Sequence, residues 1–391
     1  MRIDHIKNWR TKCTGCSACV NVCPKNAIHM IVAEDGFEYP RIDEAICVHC
    51  GLCEKACSIN KPTNQTRSKS VQVAKALNEQ VRSRGSSGGI FEIAAEHVLA
   101  SGGVVYGAAF DPDCKSVKHS SSYSRGLEPL LRSKYVQSKI GSVYRDVGDQ
   151  LKSGNAVLFS GTPCQVRGLL GFLEAKGISG DLTTMDFFCH GVPSPGILKE
   201  YIEVLEHEHD SSVVNITFRE KEEGWHKQST RIYFSNGNHL GFESSKHFYY
   251  YLFLNNYILR DSCYGCREYC SHTADITMAD YWSIAAEKDD DQGMSLVLIN
   301  TEKGMKLWKS IAGELSSEPL SSEAFDYNSY SHKKYDYNRK IKCMKAYQHS
   351  GIEGLRRRFF FERYVFDHCE RKVRHIGGTC KRLIKAVIRK R

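Results

Sequence analysis

Two runs of cysteines near the start of the chain constrain its fold more than any other feature. The first run is Cys13-x2-Cys16-x2-Cys19-x3-Cys23, and the second, after 23 residues, is Cys47-x2-Cys50-x2-Cys53-x3-Cys57. Each run puts three thiolates on one short loop and a fourth at the start of the next element, a spacing that holds a cubane 4Fe-4S cluster. Zinc sites usually use paired CxxC or Cys/His spacings, and disulfide frameworks suit short secreted chains, so both alternatives fit less well.

The ligands of the two clusters are predicted to be crossed between the runs. In two-cluster ferredoxins with this spacing, the fourth cysteine of each run ligates the other cluster. One predicted set is therefore Cys13, Cys16, Cys19 and Cys57, and the other is Cys47, Cys50, Cys53 and Cys23. Ser58 stands where the first run continues with Pro24, a change that removes no ligand.

Composition is that of a cytoplasmic globular protein. The chain has 391 residues, 41% of them apolar and 25% charged, which leaves room for two or three domains. Its apolar runs are all shorter than the roughly 18 residues that span a membrane. The polar start, Met1 to Arg10, does not resemble a signal peptide. Seventeen cysteines without an export signal favour metal ligation in a reducing compartment.

The formal net charge of +9 is concentrated in the last part of the chain. Residues 355–391 contain 13 Lys or Arg against 3 Asp or Glu, so the rest of the protein is close to neutral. Basic residues interleaved with apolar ones suit peripheral contact with an anionic membrane surface. An amphipathic helical tail packed on the body fits the pattern equally well. Because the tail contains no recognised nucleic-acid motif, a nucleic-acid partner is not expected.

The order of elements predicts an α+β fold. Strands are predicted at 28–32 and 37–42, and a polar linker follows at 60–70. From Val71 onward, strands and helices alternate and predict a larger α/β part with a mixed sheet, without two Rossmann repeats. The predicted boundaries are 1–62 for the ferredoxin module, 71–152 and 153–318 for the two parts of the larger domain, and 319–391 for a basic, helical C-terminal extension.

Two strand–turn–helix junctions are candidates for binding a phosphate-containing cofactor. Gly85 to Gly89 and Ser160 to Pro163 place small residues at predicted helix starts, where free N–H groups and the helix dipole favour anions. Ordinary helix capping explains the same residues. Neither junction matches the dinucleotide fingerprint or a Walker loop.

Further cysteines lie outside the two runs. Cys263-x2-Cys266-x3-Cys270 forms one group, while Cys164 and Cys189 each follow a strand-like apolar run. Strand ends in an open sheet are common ligand sites, so these thiolates could together hold a third cluster. The alternative is free buried thiols with a small zinc site. Cys114, Cys343, Cys369 and Cys380 are scattered and are predicted to be unliganded.

Residues 71 to about 315 resemble the beta subunit family of coenzyme F-420-reducing hydrogenases and dehydrogenases, in its bacterial branch with a fused ferredoxin. The resemblance covers more than half of the chain, in the family's order. It rests on the following stretches: Ser86 to Phe91, Gly102 to Gly107, Ser133 to Ser138, Ser160 to Gln165, Cys189 to Ser194, Phe218 to Lys221 with Gly224-Trp225, Cys263 to Cys266, and Ala274 to Trp282. Ala279 stands where the family usually has Gly.

The resemblance implies a bound FAD, a nearby third 4Fe-4S cluster and, in some relatives, hydride exchange with deazaflavin coenzyme F-420. It implies Cys164, Cys189, Cys263 and Cys266 as ligands of the third cluster, with Cys270 as a competitor for Cys164 or Cys189. Carried over to this chain, the candidate cofactor contacts are Ser87, Gly88, Gly89, Ser133, Lys134, Tyr135, Gln137, Ser138, Gly161, Thr162, Pro163, His190, Arg219 and Lys221. Ordinary surface charge is the alternative explanation for Lys134, His190, Arg219 and Lys221.

Two functions are consistent with these features. The first is an FAD- and iron–sulfur-dependent oxidoreductase that exchanges hydride with a small-molecule donor or acceptor and single electrons with ferredoxin or another redox protein. The second is an electron-transfer adaptor without a substrate pocket, which would deliver electrons to a partner enzyme. No individual catalytic residue is predicted.

Overall fold

The N-terminal part surrounds the cysteine runs with one hairpin and three short helices. The computed structural model describes residues 9–61, 68–243, 246–266, 273–321 and 336–359. The first elements are α1 Trp9–Lys12, α2 Ala18–Val22, β1 Ile28–Val32, β2 Glu38–Ile42 and α3 Leu52–Ala56. The antiparallel pair β1 and β2 connects the first run to the second. Both strands agree with the prediction from the sequence.

The remaining strands form two separate sheets. In chain order they are β3 Ser70–Ala76, β4 Val104–Phe110, β5 Val117–Ser121, β6 Val157–Ser160, β7 Leu182–Phe187, β8 Val213–Glu220, β9 Ser229–Phe234, β10 His239–Glu243, β11 Ile276–Asp280, β12 Ser295–Ile299 and β13 Leu315–Pro319. Eight of them form one sheet in the order β13-β3-β12-β11-β7-β6-β4-β5, and β10-β9-β8 form the other.

The eight-stranded sheet is mixed. Its centre, β11-β7-β6-β4, is parallel, whereas β5, β12, β3 and β13 are joined antiparallel. β12 is buried along its whole length, as expected for a strand covered on both faces. Strands from both predicted parts of the larger domain, 71–152 and 153–318, contribute to this sheet. The α+β class with a large mixed sheet is confirmed.

Helices cover both sheets. They are α4 Glu79–Arg84, α5 Ile90–Ala100, α6 Ser122–Arg125, α7 Val143–Lys152, α8 Pro163–Lys176, α9 Pro195–His209, α10 Phe248–Leu254, α11 Glu302–Ile311 and α12 Tyr337–Phe359. None of the helices within the described ranges is long and apolar enough to cross a membrane.

The three-stranded sheet shares its hydrophobic core with α9, α10 and α12. Burial alternates along β9, the pattern of a strand with one face on a core. α12 is kinked at Ser350 and Gly351, and the Ile352 N–H donates to Glu200 Oε1 on α9 (3.0 Å). The part of the C-terminal extension that is described therefore packs on the body. The rest of the basic tail, residues 360–391, lies outside the described residues, so the predicted membrane contact falls there.

Candidate functional site

The first cysteine site consists of Cys13, Cys16, Cys19 and Cys57, which line one cavity. The loop from Cys13 reverses through Gly15 (φ +69°) and Ser17 (φ +59°) before α2 begins. These left-handed residues let the chain curl tightly around the cavity. Cys57 comes from the end of α3, so the structure brings together the crossed set that the spacing predicts.

The second cysteine site consists of Cys23, Cys47, Cys50 and Cys53, which line another cavity. Its loop also reverses through left-handed residues, His49 (φ +52°) and Gly51 (φ +74°). In contrast to the first site, this loop faces solvent. Cys50 is exposed and Val48 keeps 54% of its surface accessible.

Helix α8 of the larger domain packs directly against the first site. A Cβ added to Gly168 would lie 2.9 Å from both Cβ and Sγ of Cys16, and one added to Gly171 would lie 2.4 Å from the carbonyl oxygen of Ala56. Both approaches are too close for any side chain, so these glycines allow α8 to contact the cysteine module directly.

The third cysteine site consists of Cys164, Cys189, Cys263 and Cys266, which lie close enough to interact electrostatically. β6 and β7 are adjacent parallel strands, so their carboxyl ends bring Cys164 and Cys189 to one edge of the sheet. Cys263 lies in a short 3-10 helix, Asp261–Gly265, directly beside Gly191. Cys270, the predicted competitor, lies outside the described residues.

Several buried cysteine thiols in the first and third sites have a pKa above the usual range. Burial raises the pKa of Cys16, Cys164 and Cys263, and it raises the pKa of Cys57 to about 12. Neighbouring cysteines raise the pKa of Cys164 further. Such groups would be stabilised as thiolates only by a cationic partner such as iron.

Soft thiolate donors in groups of four fit a 4Fe-4S cluster at each of the three sites. Across the described ranges, no group of three or more Cys, His, Asp or Glu side chains is arranged to hold a single metal ion. Of the scattered cysteines, Cys114 and Cys343 are buried, while Cys369 and Cys380 lie outside the described residues.

A second group of functional residues lies around Arg219, at the end of β8. Arg219 donates to Asp280 Oδ2 (2.7 Å) and to the Tyr135 hydroxyl (3.3 Å). Its guanidinium carbon lies 5.9 Å from the Trp225 ring centroid and 5.6 Å from that of Trp282. The two tryptophan rings are stacked 4.1 Å apart, and Trp282 is 42% exposed. We call Arg219, Trp225 and Trp282 the arginine–tryptophan group.

The arginine–tryptophan group has unused hydrogen-bonding capacity. Arg219 is 4% exposed, yet its Nε and Nη2 have no hydrogen-bond partner within the part of the chain that the structure describes. A buried cationic donor normally has a partner. An anionic or carbonyl-bearing ligand with a flat ring would satisfy both the free nitrogens and the tryptophan face, so this group fits a flavin or a related carrier.

Lys221 connects the arginine–tryptophan group to the predicted junction at Gly85 to Gly89. Its Nζ donates to the carbonyl oxygens of Arg82 (2.7 Å) and Ser87 (2.6 Å). Burial, followed by the charges of Arg82 and Arg219, lowers the pKa of Lys221 to about 7. The structure therefore brings Ser87, Lys221 and Arg219 close together.

Two of the predicted glycines have structural roles, Gly88 through close packing and Gly89 through its backbone conformation. A Cβ on Gly88 would lie 2.5 Å from the carbonyl oxygen of Ala74, and Gly89 has φ +86°. Ser133 is close to this junction because its N–H donates to Ser86 Oγ (2.8 Å). Lys134 is buried, and its Nζ donates to the carbonyl oxygens of Pro129 and Leu131. Burial, followed by Arg132 and Arg125, lowers the pKa of Lys134 to about 7.

Other predicted contacts are engaged with the protein itself. Gln137 Nε2 donates to the carbonyl oxygen of Thr14 (2.8 Å) in the first site's loop. Ser138 Oγ lies 3.0 Å from His119 Nδ1. At the second junction, Gly161 to Pro163, Thr162 and Gln165 form a capping box at the start of α8, and Thr162 Oγ1 lies 3.1 Å from Cys164 Sγ. The capping explanation therefore accounts for Thr162.

His190 lies between the third site and the core. Its ring centroid is 4.9 Å from that of Phe253, edge to face. Burial lowers the pKa of His190, so its imidazole is neutral at physiological pH. Trp225, Asp280 and Trp282 are absent from the predicted contacts, although they lie in the stretches Gly224-Trp225 and Ala274 to Trp282 that carry the family resemblance.

Two family models match parts of this chain. Residues 154–323 match the family model for the C terminus of the beta subunit of coenzyme F-420 hydrogenase/dehydrogenase, and residues 12–60 match the 4Fe-4S dicluster domain. The family resemblance is confirmed. Together, the two matches support an iron–sulfur oxidoreductase. No curated protein shows a match to this chain.

One solved structure similar to this chain is the F-420-reducing NiFe hydrogenase complex from Methanosarcina barkeri, studied by xenon derivatization. The sequence identity is 18% and the TM-score is 0.46. The similarity covers 76% of this chain and 94% of the other.

Proposed function

We propose that this chain is an iron–sulfur flavoprotein oxidoreductase, with FAD held near the arginine–tryptophan group and 4Fe-4S clusters held at the three cysteine sites. When bound, FAD supplies two-electron hydride chemistry and the clusters supply one-electron transfer. The observation that carries the proposal is the grouping of twelve cysteines into three sets of four, two of which line separate cavities.

The residues around Arg219 support the flavin part of the proposal. Arg219 and, in its charged form, Lys221 place positive charge where a pyrophosphate or an anionic reduced flavin would be stabilised. The exposed face of Trp282 offers a stacking surface. Asp280 holds Arg219 in place through their ion pair (2.7 Å), so the free Nε and Nη2 are presented in a fixed direction.

A purification and reconstitution experiment tests this function. The anaerobically prepared protein, reconstituted with excess FAD, should release FAD on denaturation, and Arg219→Met should lose most of it. Arg356→Met is the matched control because Arg356 is also largely buried and paired with a carboxylate, that of Glu208 on α9. Equal FAD retention in both variants would contradict the assignment of Arg219.

The identity of the small-molecule hydride donor or acceptor is tested in a separate experiment. Reduced coenzyme F-420 and other reduced hydride carriers should each be mixed anaerobically with the loaded chain while flavin absorbance is followed. Bleaching of the flavin by a carrier, without any partner protein, is the expected result.

The exposure of Cys50 and Val48 at the second site favours a second candidate, the electron-transfer adaptor. A cluster ligand at the surface suits delivery of electrons to another redox protein. Absence of flavin after reconstitution, together with turnover only when a partner enzyme is present, would favour the adaptor over the flavoprotein.

A further inference from the structure

One buried arginine touches the first cysteine site and is adjacent in sequence to the third. Arg260 is 1% exposed. Its Nε donates to the carbonyl oxygen of Cys13 (2.7 Å), and its Nη2 lies 3.8 Å from Cys13 Sγ. The N–H of Cys263, a ligand in the third site, donates to the carbonyl oxygen of Arg260 (3.0 Å). Arg260 therefore joins the two cysteine loops, although it is 247 residues away from Cys13 in the chain.

The charge of Arg260 has no carboxylate partner within ion-pair distance among the described residues. Its remaining donors go to neutral oxygens, Gln137 Oε1 (2.9 Å) and the carbonyl of Glu38 (2.8 Å). The ring centroid of Tyr39 lies 4.2 Å from its guanidinium carbon. Burying an unpaired cation is costly unless an anionic group lies nearby. With a cluster bound, the thiolates of the first site would supply that negative charge.

The surrounding backbone is shaped to admit this guanidinium. A Cβ on Gly15 would lie 2.8 Å from Arg260 Nη1 and 2.8 Å from Gln137 Nε2. A glycine between Cys13 and Cys16 therefore lets Arg260 and Gln137 reach the loop. By contrast, Lys340, a buried cation near Tyr264, is paired with Asp261. Arg260 is thus a buried cation whose charge compensation depends on the first site.

We propose that Arg260 is a positioning and electrostatic residue that raises the reduction potential of the cluster held by Cys13, Cys16, Cys19 and Cys57 and fixes this loop beside Cys263. One added electron makes that group one unit more negative, and no bond forms or breaks. Positive charge and an N–H···S contact stabilise the added electron. This inference rests on the proposed function, because it requires the first site to bind a cluster.

Redox titration of the full, cluster-loaded chain, followed by electron paramagnetic resonance, tests the proposal. Arg260→Gln should make one cluster harder to reduce by about tenfold in its one-electron equilibrium, which is about 59 mV. Arg260→Lys, which keeps the charge, should recover part of this shift. The control Arg356→Gln should leave every midpoint potential unchanged. Unchanged potentials in Arg260→Gln with full iron content, or the same shift in Arg356→Gln, would overturn the proposal.

A measurement on the unaltered sequence decides the case if Arg260→Gln fails to retain iron. Protein labelled with ¹⁵N-arginine should show a nitrogen hyperfine coupling in the signal of one reduced cluster, and Arg260→Lys should abolish it. Absence of this coupling in the labelled wild-type protein contradicts the proposal. If the wild-type chain binds no iron at all, the proposed function itself fails, which is a distinguishable outcome.

Discussion

The first and second cysteine sites have the same spacing but opposite surroundings. The first is covered by α8 at Gly168 and contacted by the buried Arg260, whereas the second presents Cys50 to solvent. The spacing of the cysteines therefore determines which atoms can bind a cluster. The packing of the larger domain determines the reduction potential and the solvent accessibility of each site. Solvent exposure and hydrogen bonds to sulfur both influence the reduction potential of a cluster. Clusters at the two sites should therefore differ in reduction potential.

The largest effect is expected from a variant that separates α8 from the first site. Gly168→Ala places a methyl group 2.9 Å from Cys16 Sγ, and overpacking of this kind typically costs about 1–3 kcal/mol. We expect the first cluster to be lost, so that iron content falls from about twelve to about eight per chain. Iron analysis and the visible spectrum of the anaerobic protein measure this loss.

Gly313→Ala is the matched control. An added Cβ at Gly313 would meet no described atom within 4 Å, and its iron content should equal that of the wild type. If Gly168→Ala also retains all its iron, the contact between α8 and Cys16 does not support the first site.

The next test compares the accessibility of the two sites in protein stripped of iron and checked for retained secondary structure. Iodoacetamide should label the exposed Cys50 before Cys57, whose pKa is raised to about 12 by burial. Below that pKa, the Cys57 thiolate fraction and its labelling rate should rise roughly tenfold per pH unit. Mass spectrometry of peptides at pH 7, 8 and 9 measures both rates. Equal, pH-independent labelling would mean that the two sites are equally open.

The grouping of the cysteines in the first two sites and the general architecture could be predicted because they depend on local patterns. Spacing within each run is local, and the apolar runs of β6 and β7 are short-range signals. Arg260 could not be predicted, since its contacts join residues 247 positions apart and no motif surrounds it. β13 was also missed: it is an edge strand with only Leu315 buried, so it has no alternating pattern. Trp282 lay within a matched stretch, but its stacking on Trp225 depends on tertiary structure.

A smaller effect, the pH dependence of FAD affinity, tests whether the flavin site is independent of the exposed second site. Lys221 has a pKa lowered to about 7, so it is charged below that pH and loses its charge as the pH rises. FAD affinity should therefore fall as the pH rises through about 7, by about tenfold for one charge-assisted hydrogen bond worth about 1.5 kcal/mol. Equilibrium titration with FAD from pH 6 to 8.5 measures this.

Two variants sharpen the result. Lys221→Met should bind FAD more weakly and with a shallower pH dependence, while Cys50→Ser should follow the wild-type curve. A wild-type FAD affinity that does not change with pH would contradict a role for Lys221 in the flavin site. A changed pH curve in Cys50→Ser would show that the flavin site is coupled to the second site.

Iron content per chain, measured on the anaerobic wild-type protein and on Cys50→Ser, tests the central claim most directly. Three sites of four cysteines predict about twelve irons in the wild type and about eight in Cys50→Ser, with FAD content unchanged. A wild-type count near eight would remove the third site. A count near zero with bound zinc would contradict the whole account.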